Sequence, residues 1–583
     1  MQVSTMLGMA PRPSRKRPGK AVLLLLSVLV TVLAATIWFL FQLRNFEPVL
    51  PFDGRKHVLV YQGEVFPQSY REENGEILVP FEFIRKHVDP NVFWDEPTKS
   101  VIITTKDKVV QLHSEKLAGF LNKKPIELKV PVQEKDGNRY IPWEPLAKLY
   151  PVHYQLHKET TVVTVEKAGY AVQQGKVLSA DDQAAEPQKL RVGPSENEPF
   201  LRELSPDTQV DILGEKDMWY HVQTTDGIMG YLPKQGVQLW KVRHTAVTDT
   251  PYKPQTVAWK PLGKKINLVW EHVPNKNPNI DQIPVMPGVN VVSPTWFELS
   301  DDKGNLSNKA NVAYSRWAHS RGYQVWGLVS NGFNPDWTKA MLGDFRLREK
   351  VIVQILQYAN LYELDGINLD FENVYLDDKE RLVQFVRELT PYLHEQGLTV
   401  SMDVTVKSSS DRWSRFYDRK ALAQVVDYIA VMTYDEFWAS SPVAGSVASL
   451  PWTEKGLHSV LEEVPSDKLL LGVPFYTRLW KEEKQADGTM KVTSKALSMS
   501  NAKRWLEERK VTPQLDAASG QMFASYRDPV DGAVYKIWLE DVTSMQKRIS
   551  LVRKYDLAGV AAWKRGLEQP QIWTIIEEGL NRK

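Results

Sequence analysis

The sequence predicts an α/β protein whose C-terminal part is a (β/α)8 barrel, preceded by one apolar helix and two small β-rich domains. From Lys264 onward, short apolar runs rich in β-branched residues alternate with longer amphipathic helical patterns. Eight such runs fall within about 320 residues, which suits a barrel of eight parallel strands. Upstream of Lys264 the apolar runs are shorter and are broken by Gly and Pro, which is typical of small β domains.

The alternation assigns each barrel strand to a segment of the chain. The eight strand candidates are Ile266–His272, Val289–Ser293, Gln324–Ser330, Gly366–Phe371, Leu398–Val404, Val426–Thr433, Leu469–Pro474 and Ala558–Trp563. The clearest helical patterns between them are Arg346–Leu364, Lys379–Glu395 and Val542–Tyr555. The interval Thr477–Glu540 is too long for a plain crossover, so we expect an inserted α+β subdomain at about 477–540. The functional site of such a barrel lies at the C-terminal ends of its strands.

Composition excludes several classes of function. The net charge is only +2, which gives no electrostatic reason to expect a nucleic-acid partner. The chain has no cysteine, which excludes disulfides, a thiolate nucleophile and a cysteine-based zinc site. Its 19 Trp and 22 Tyr exceed what a core of this size normally requires. Aromatic faces stack on the C–H surfaces of sugars, so the excess favours a carbohydrate cleft, although small aromatic-rich β domains explain part of it.

The N-terminal segment has the pattern of a membrane anchor. Residues 1–20 form a basic tail without acidic residues, and residues 21–43 contain no charge. The apolar stretch is long enough to cross a hydrocarbon core of roughly 30 Å as a helix. Because the basic tail comes first, the positive-inside rule places it in the cytoplasm and the catalytic domain outside, at the cell or spore envelope. A cleaved signal peptide is the alternative.

Residues 57–167 contain a faint internal repeat of strand, short helix and paired strands. The first copy begins near Gly75 and the second near Asn138. The region resembles the module named after the N-terminal domain of copper amine oxidase. Its histidines do not have the spacing of metal ligands, so we expect no copper site despite the name; they are His87, His113, His153 and His157.

A polar segment, Gln173–Lys189, is predicted to be a linker to a second small domain at 187–241. Short strands broken by Gly and Pro predict a small barrel there. The domain resembles a bacterial SH3 domain in the placement of Trp219 and of Asp226 followed by Gly. Such a domain binds cell wall or acts as a passive spacer. A second predicted linker, Thr248–Pro261, leads to the barrel domain at 262–583.

The fourth predicted strand carries an acidic run, Asp365-Gly-Ile-Asn-Leu-Asp-Phe-Glu372. Side chains alternate along a strand, so Asn368, Asp370 and Glu372 share one face and the intervening apolar residues share the other. The apolar face must contact the surrounding helices, which turns the polar face into the barrel. Two acidic groups held close together separate their pKa values, so one keeps a proton at neutral pH and serves as a general acid.

The run resembles the DxxDxDxE signature of glycoside hydrolase family 18, which contains chitinases and N-acetylglucosaminidases. The resemblance implies a retaining mechanism in which the acetamido oxygen of the substrate attacks the anomeric carbon. It implies that Glu372 is the acid and later the base, that Asp370 orients the acetamido group, and that neither metal nor cofactor is required. Position 368 is Asn where the family usually has Asp, so proton exchange between residues 368 and 370 is lost.

Other residues match landmarks of the family or follow strand ends. The run Met432-Thr-Tyr434-Asp435 ends the sixth predicted strand, where the family's tyrosine bonds the acetamido group. Trp563 ends the eighth, where a tryptophan lies under the cleaved sugar. The further predicted substrate-binding residues are Asp365, Trp296, Asn331, Tyr476, Arg478 and Trp538.

These observations predict a membrane-anchored extracellular glycosidase that cleaves N-acetylglucosamine-containing glycan of peptidoglycan or spore cortex. The expected partners are this polysaccharide, the cell wall and, through the N-terminal helix, the membrane. A chitinase remains an alternative, and so does a non-catalytic glycan-binding protein on the same barrel. Non-catalytic members of the family typically lose the acid glutamate, whereas Glu372 is present here.

Overall fold

The computed structural model describes residues 20–44, 47–179, 186–246, 261–530 and 532–581. The chain forms two compact units: unit 1 is Met1–Val88 with Asn138–Tyr252, and unit 2 is Asp89–Gly137 with Lys253–Lys583. The chain therefore leaves unit 1 after Val88 and returns to it at Asn138. The predicted basic tail, up to residue 19, and the predicted linker Thr248–Pro261, except for its last residue, lie outside the described residues.

The apolar N-terminal segment is a helix, Lys20–Arg44. Within the described part of the chain, however, no helix combines the length and apolar character that crossing a membrane requires. The transmembrane anchor expected over residues 21–43 is therefore not confirmed.

In unit 1, the repeated pattern of strand followed by helix is confirmed. Strand Glu76–Pro80 leads directly into helix Phe81–His87, and strand Asn138–Pro142 leads directly into helix Trp143–Leu149. The two strands pair antiparallel, with Ile141 opposite Val79. The remaining strands of this part are Val58–Tyr61, Glu64–Val65, Arg71–Glu73, Val152–His157 and Val162–Lys167.

The rest of unit 1 is a seven-stranded sheet. In chain order its strands are Ala171–Val177, Gln188–Arg191, Phe200–Leu204, Gln209–Lys216, Trp219–Thr224, Met229–Pro233 and Val237–His244. The prediction of a linker at Gln173–Lys189 was wrong for its first part. Ala171–Val177 is a strand that pairs with both Gln209–Lys216 and Val237–His244. Four of its seven residues are buried, although several residues of the segment are polar. The small β domain is present, but its resemblance to an SH3 domain is not confirmed.

Unit 2 begins with an antiparallel five-stranded sheet formed by Phe93–Asp95, Ser100–Thr104, Val109–His113, Ala118–Leu121 and Lys124–Glu127. Ile102 and Val109 of this sheet pack against Phe345, which begins a helix of the barrel. Asp95 accepts a hydrogen bond from the Phe345 backbone N–H at 2.9 Å and forms an ion pair with Arg348 at 3.1 Å. This sheet is thus attached to the barrel by both apolar and ionic contacts.

The predicted eight-stranded parallel barrel is confirmed. Its strands are β1 Ile266–Glu271, β2 Val291–Pro294, β3 Gln324–Ser330, β4 Gly366–Asp370, β5 Thr399–Thr405, β6 Tyr428–Met432, β7 Leu469–Pro474 and β8 Gly559–Trp563. Neighbours in sequence pair in parallel, and pairing of β8 with both β1 and β7 closes the ring. The helices are Val312–Ser320, Pro335–Gly343, Phe345–Leu361, Lys379–Glu395, Arg419–Val425, Leu450–Leu461, Val542–Lys554 and Gln571–Asn581.

Two additions interrupt the alternation of strand and helix. A short hairpin, Phe297–Leu299 with Leu306–Asn308, follows β2. Between β7 and β8 lies an antiparallel sheet with one helix, Met499–Arg509. Its strands are Tyr476–Lys484, Met490–Ser498, Gln514–Asp516, Gln521–Arg527 and Val534–Trp538. The chain thus has the α+β insertion expected at about 477–540.

Candidate active site at the C-terminal mouth of the barrel

The fourth strand places its polar and apolar side chains as the alternation predicts. Ile367, Leu369 and Phe371 are buried in the large core between the strands and the helices. Asn368 lies on the opposite face, inside the barrel, and has no exposed surface. Glu372 follows the last residue of β4 by two positions and is partly buried. The acid group is therefore the member of the polar series nearest the barrel mouth.

The backbone of Glu372 is held by the side chain of Asn331, which follows β3. The Glu372 N–H donates to Asn331 Oδ1 at 3.1 Å, and the Glu372 carbonyl accepts from Asn331 Nδ2 at 2.7 Å. Asn331 itself is fully buried. It was predicted to bind substrate, but these bonds show that it positions the backbone of the acid residue.

Asn368 is the centre of a buried hydrogen-bond network. Its Oδ1 accepts from Trp270 Nε1 at 2.8 Å and from Ser293 Oγ at 3.1 Å. Its Nδ2 donates to Ser401 Oγ at 3.1 Å and to Asp403 Oδ1 at 2.8 Å. Because an indole N–H can only donate, Trp270 fixes which end of the amide faces it. The Asn368 N–H groups are consequently directed towards β5, where Asp403 lies.

Three carboxyl groups lie together without a cation. Burial raises the pKa of Asp370 to about 7. Burial, and then the charges of Asp370 and Asp435, raise the pKa of Glu372 to about 8. Burial, followed by the charge of Asp370, raises the pKa of Asp403 well above its usual range. One oxygen of Asp370 is buried without a hydrogen-bond partner in the described structure. Since no described Lys, Arg or His pairs with them, the three groups do not all ionise together, and the cluster keeps part of its protons near neutral pH.

The predicted residues after β6 and β7 form a second polar group. Asp435 Oδ1 accepts from the Tyr476 hydroxyl at 2.6 Å and lies 3.3 Å from a guanidinium nitrogen of Arg478. The rings of Tyr434 and Tyr476 are 6.4 Å apart between centroids. Burial, and then the charge of Asp403, raise the pKa of Tyr434 well above its usual range. Tyr434 is therefore a neutral hydroxyl donor, and Met432 is the last residue of the strand before it.

Trp563 is the last residue of β8 and is partly exposed. Its ring lies 6.0 Å from that of Trp270, the indole that bonds Asn368. The peptide bond from Trp563 to Lys564 is cis. Trp563 thus stands beside the polar layer, as the sequence predicts.

The structure shows the surroundings of three further predicted substrate-binding residues, Asp365, Trp296 and Trp538. Asp365 precedes β4 and bonds His319 at 2.8 Å, so it lies at the opposite end of the strand, roughly 20 Å from residue 372 at about 3.3 Å per residue. Trp296 has no exposed surface and donates to Asn277 at 2.6 Å inside the core. The contacts of Trp538, with Phe523 and Asp516, are within the insertion. The prediction that Asp365 and Trp296 bind substrate is corrected accordingly, whereas substrate binding by Trp538 stays a prediction.

Sequence reasoning missed Asp403 and several aromatic side chains. Phe333, Trp413 and Trp438 follow β3, β5 and β6, and they are 44%, 46% and 54% exposed. Exposed rings at the mouth of a barrel offer stacking surfaces for sugars. Asp403 alternates with Ser401 along β5, which is the same polar alternation that identified β4. That signal was present in the sequence.

A closed (β/α)8 barrel whose fourth strand ends in protonatable carboxyl groups without a cation is the arrangement of a TIM-barrel glycoside hydrolase. Residues 302–568 match the family Glycosyl hydrolases family 18. The C-terminal barrel of this chain is therefore a family 18 glycoside hydrolase domain. Residues 61–169 match the Copper amine oxidase N-terminal domain, which confirms that resemblance.

Curated proteins and solved structures resemble the barrel part of this chain. The cortical fragment-lytic enzyme of Bacillus subtilis is 26% identical over 44% of this chain and 59% of its own length. The uncharacterized glycosylase YvbX of the same organism is 26% identical over 50% of this chain and 85% of that protein. The solved spore cortex-lytic enzyme SleL of Bacillus megaterium has a TM-score of 0.48 and 24% identity, over 55% of this chain and 76% of that one. The chain spans about three fifths of the cortical fragment-lytic enzyme.

Proposed function

We propose that this chain hydrolyses glycosidic bonds next to N-acetylglucosamine in peptidoglycan or spore cortex, by a retaining, substrate-assisted mechanism. The observation that carries the proposal is the pair Glu372 and Asp370 at the end of β4. Both have raised pKa values, to about 8 and about 7, and no described cation neutralises either. A carboxylic acid that keeps its proton near neutral pH can protonate the leaving oxygen of a glycoside.

Each residue of the site has a role in this proposal. Glu372 donates its proton to the glycosidic oxygen while the substrate's acetamido oxygen attacks the anomeric carbon. The oxazolinium ion formed carries positive charge, which the carboxylate of Asp370 balances while accepting the acetamido N–H. The neutral hydroxyl of Tyr434 donates to the acetamido oxygen. Glu372, now a carboxylate, takes a proton from the water that opens the ring, which restores the acid and retains configuration.

The N-acetylated wall polymer is favoured over chitin by the curated relatives named cortical fragment-lytic enzyme. Exposed rings at the mouth, including Trp413 and Trp438, suit an extended polysaccharide. We also propose that the β-rich domains predicted at 57–167 and 187–241 bring the enzyme to the wall, at the cell or spore envelope. Chitin hydrolysis is the alternative activity.

The test uses the full-length chain on purified vegetative wall, spore cortex and chitin oligosaccharides, with mass spectrometry of the released fragments. We expect fragments ending in reducing N-acetylglucosamine from wall or cortex, and none with Glu372→Gln. The matched control is Glu462→Gln, an exposed glutamate that contacts Lys407. Preferred cleavage of chitin would replace the substrate assignment, and wild-type fragments from Glu372→Gln would contradict the assignment of the acid.

Retention has a separate test. Proton NMR of the first products should show the β-anomer before mutarotation, because two inversions at the anomeric carbon restore its configuration. A thiazoline mimic of the oxazolinium ion should inhibit competitively. An α-anomer as the first product, or equal cleavage of glucan without acetamido groups, would exclude substrate assistance.

A further inference from the structure

The carboxyl group of Asp403 lies beside that of Asp370 by strand register. Strands β4 and β5 pair in parallel with Asn368 opposite Ser401 and Leu369 opposite Met402. The next step of this register brings Asp370 opposite Asp403, and adjacent strands are about 4.8 Å apart. Both side chains are on the face of Asn368 and Ser401, which is the inside of the barrel. The register therefore places two acidic side chains next to each other.

The surroundings of Asp403 leave one of its oxygens for a proton. The side chain is buried, with a residue exposure of 2%. Its Oδ1 accepts from the Asn368 amide at 2.8 Å, and Trp270 fixes the direction of that amide. Two neighbouring buried carboxylates cannot both ionise without a cation, so the pair holds a proton. Since Oδ1 is used as an acceptor, Oδ2 is the oxygen that can carry it.

We propose that Asp403 is the proton-holding partner of Asp370 and supplies from the fifth strand the carboxyl group that position 368, an asparagine, lacks. This inference rests on the proposed function. Asp403 Oδ2–H donates to the Asp370 carboxylate, so the pair holds one proton and one negative charge. When the substrate's N–H reaches Asp370, the proton remains on Asp403 and the charge remains on Asp370. No proton enters or leaves the pair during the cycle.

The other groups that face Asp403 agree with this assignment. Asp370 and Glu372 from β4 both raise its pKa, as burial does first. Tyr434 after β6 and Tyr417 after β5 are neutral phenols, because burial raises the pKa of both well above their usual range. The titratable groups named here are all acids, so what favours the Asp403 anion is hydrogen bonding from Asn368 and Trp270. Asp403 is a positioning residue, since it acts through Asp370.

The kinetic test compares Asp403→Asn with the double variant Asn368→Asp, Asp403→Asn. For the single variant we expect kcat about 10- to 100-fold lower, KM within about 2-fold, and the acidic limb of the pH–rate profile displaced upward by about one unit. The displacement follows because an amide N–H at position 403 stabilises the Asp370 anion less than a carboxylic O–H does. The double variant restores an acid at position 368 and should regain most of the kcat and the original limb. A wild-type profile in Asp403→Asn, or no rescue in the double variant, would overturn the proposal.

Asp427→Asn is the matched control. Asp427 is also a buried aspartate, but it precedes β6 at the far end of the barrel and pairs with His394 at 3.0 Å. This variant loses a buried polar contact, so it reports the cost of the substitution itself. Its pH–rate profile should keep the wild-type shape. A displaced limb in Asp427→Asn would mean that general loss of stability, and not proton holding, moves the profile.

Infrared spectroscopy separates this proposal from the proposed function. At pH 9 Asp370 and Glu372 are largely ionised, whereas Asp403 should keep its proton. The wild-type minus Asp403→Asn difference spectrum should then contain a carboxylic-acid carbonyl band. If the wild type cleaves no N-acetylated glycan, the proposed function fails while this band still decides the role of Asp403. Absence of the band would overturn the proposal whatever the activity.

Discussion

Buried carboxyl groups occur in this barrel in two kinds of surroundings. At the mouth, Asp370, Glu372 and Asp403 lie together without a cation. On the helical side, Glu388 and Arg348 are both fully buried, and their side chains form two bonds at 2.8 and 3.0 Å. A charged group inside a protein costs several kcal/mol unless it is paired. The helical cluster avoids this cost by pairing the carboxylate with a cation, and the mouth cluster avoids it by keeping protons on its carboxyl groups. The paired cluster fixes its charges, whereas the mouth cluster keeps protons.

This difference separates the structural acids from the chemical ones. Glu540 with Arg548 and Glu271 with Arg565 follow the paired pattern, each with a guanidinium bonded to the carboxylate. A carboxylate held by arginine cannot easily donate a proton. Burial raises the pKa of the carboxyl group in both kinds of surroundings, but the arginine opposes that rise in the paired cluster, whereas neighbouring acids add to it at the mouth. The predictions below test whether an arginine partner alone distinguishes structural carboxyl groups from those that take part in the chemistry.

The largest expected effect is on turnover at the mouth. Glu372→Gln removes the proton donor and keeps the shape of the side chain, so kcat should fall by about three to five orders of magnitude with KM changed less than about 5-fold. Steady-state kinetics on a soluble N-acetylated oligosaccharide measure both constants. Turnover above one tenth of wild type would show that another group donates the proton.

The opposite cluster should affect stability and not chemistry. Arg348→Met leaves Glu388 and Asp95 buried without a cation, and this should lower the free energy of unfolding of unit 2 by about 3–5 kcal/mol. Denaturant unfolding gives that value, and kcat per folded molecule should stay within about 2-fold. Arg346→Met is the control, because Arg346 is exposed and water screens its pair with Asp344. Equal losses of unfolding free energy in the two variants would mean that the buried pair stabilises the protein no more than the exposed pair does.

The pH dependence of stability should distinguish the clusters as well. The folded pKa of Asp370 is raised above its unfolded value, so its contribution to stability is complete below about pH 4 and is lost as the pH rises through about 7. Asp370→Asn stays neutral, so its stability relative to wild type should increase between pH 5 and pH 8 by about 2–3 kcal/mol. Thermal unfolding at the two pH values measures the difference. A constant difference would show that Asp370 is ionised throughout.

The smallest effect is expected at the exposed rings. Trp413→Ala removes an exposed stacking surface. Its neighbour Arg412 donates from Nε to Asn373 Oδ1 at 3.1 Å, and Asn373 directly follows Glu372. KM for long glycan should rise about 3- to 10-fold with kcat nearly constant, since stacking contributes equally to ground state and transition state. Trp413→Phe should retain most of the affinity. A loss in kcat alone would place Trp413 in the chemistry.

The sequence was sufficient for most of the barrel. Predicted and observed strand limits agree within about two residues, because each strand has one apolar run and a helix follows most of them. Periodicity along a strand also identified Asn368, Asp370 and Glu372. It could not show which residue of a neighbouring strand lies opposite, so the proximity of Asp403 to Asp370 was not predicted. Position after a strand end was misleading for Trp296, which turns inward to bond Asn277.

Membership in a motif was misleading for Asp365. The signature groups it with Glu372, but seven steps along an extended chain carry it to the opposite end of the barrel, where it bonds His319 and the Val325 backbone. The insertion was predicted from its length alone. Its antiparallel pairing depends on contacts between distant strands, such as Leu479 with Ile537, that no local pattern encodes.

The contact between Asp95 and the start of helix Phe345–Leu361 has a consequence for synthesis of the chain. The bonded residues Asp95 and Phe345 are 250 positions apart. At about 10 residues per second, the ribosome completes that interval in roughly 25 s, and Asp95 has no partner there until then. Until then, Asp95 in the five-stranded sheet of residues 93–127 lacks its cation, and the apolar surface formed by Ile102 and Val109 is uncovered. Nascent chains stalled before residue 345 should accordingly be more sensitive to protease between residues 89 and 137 than chains released after residue 400.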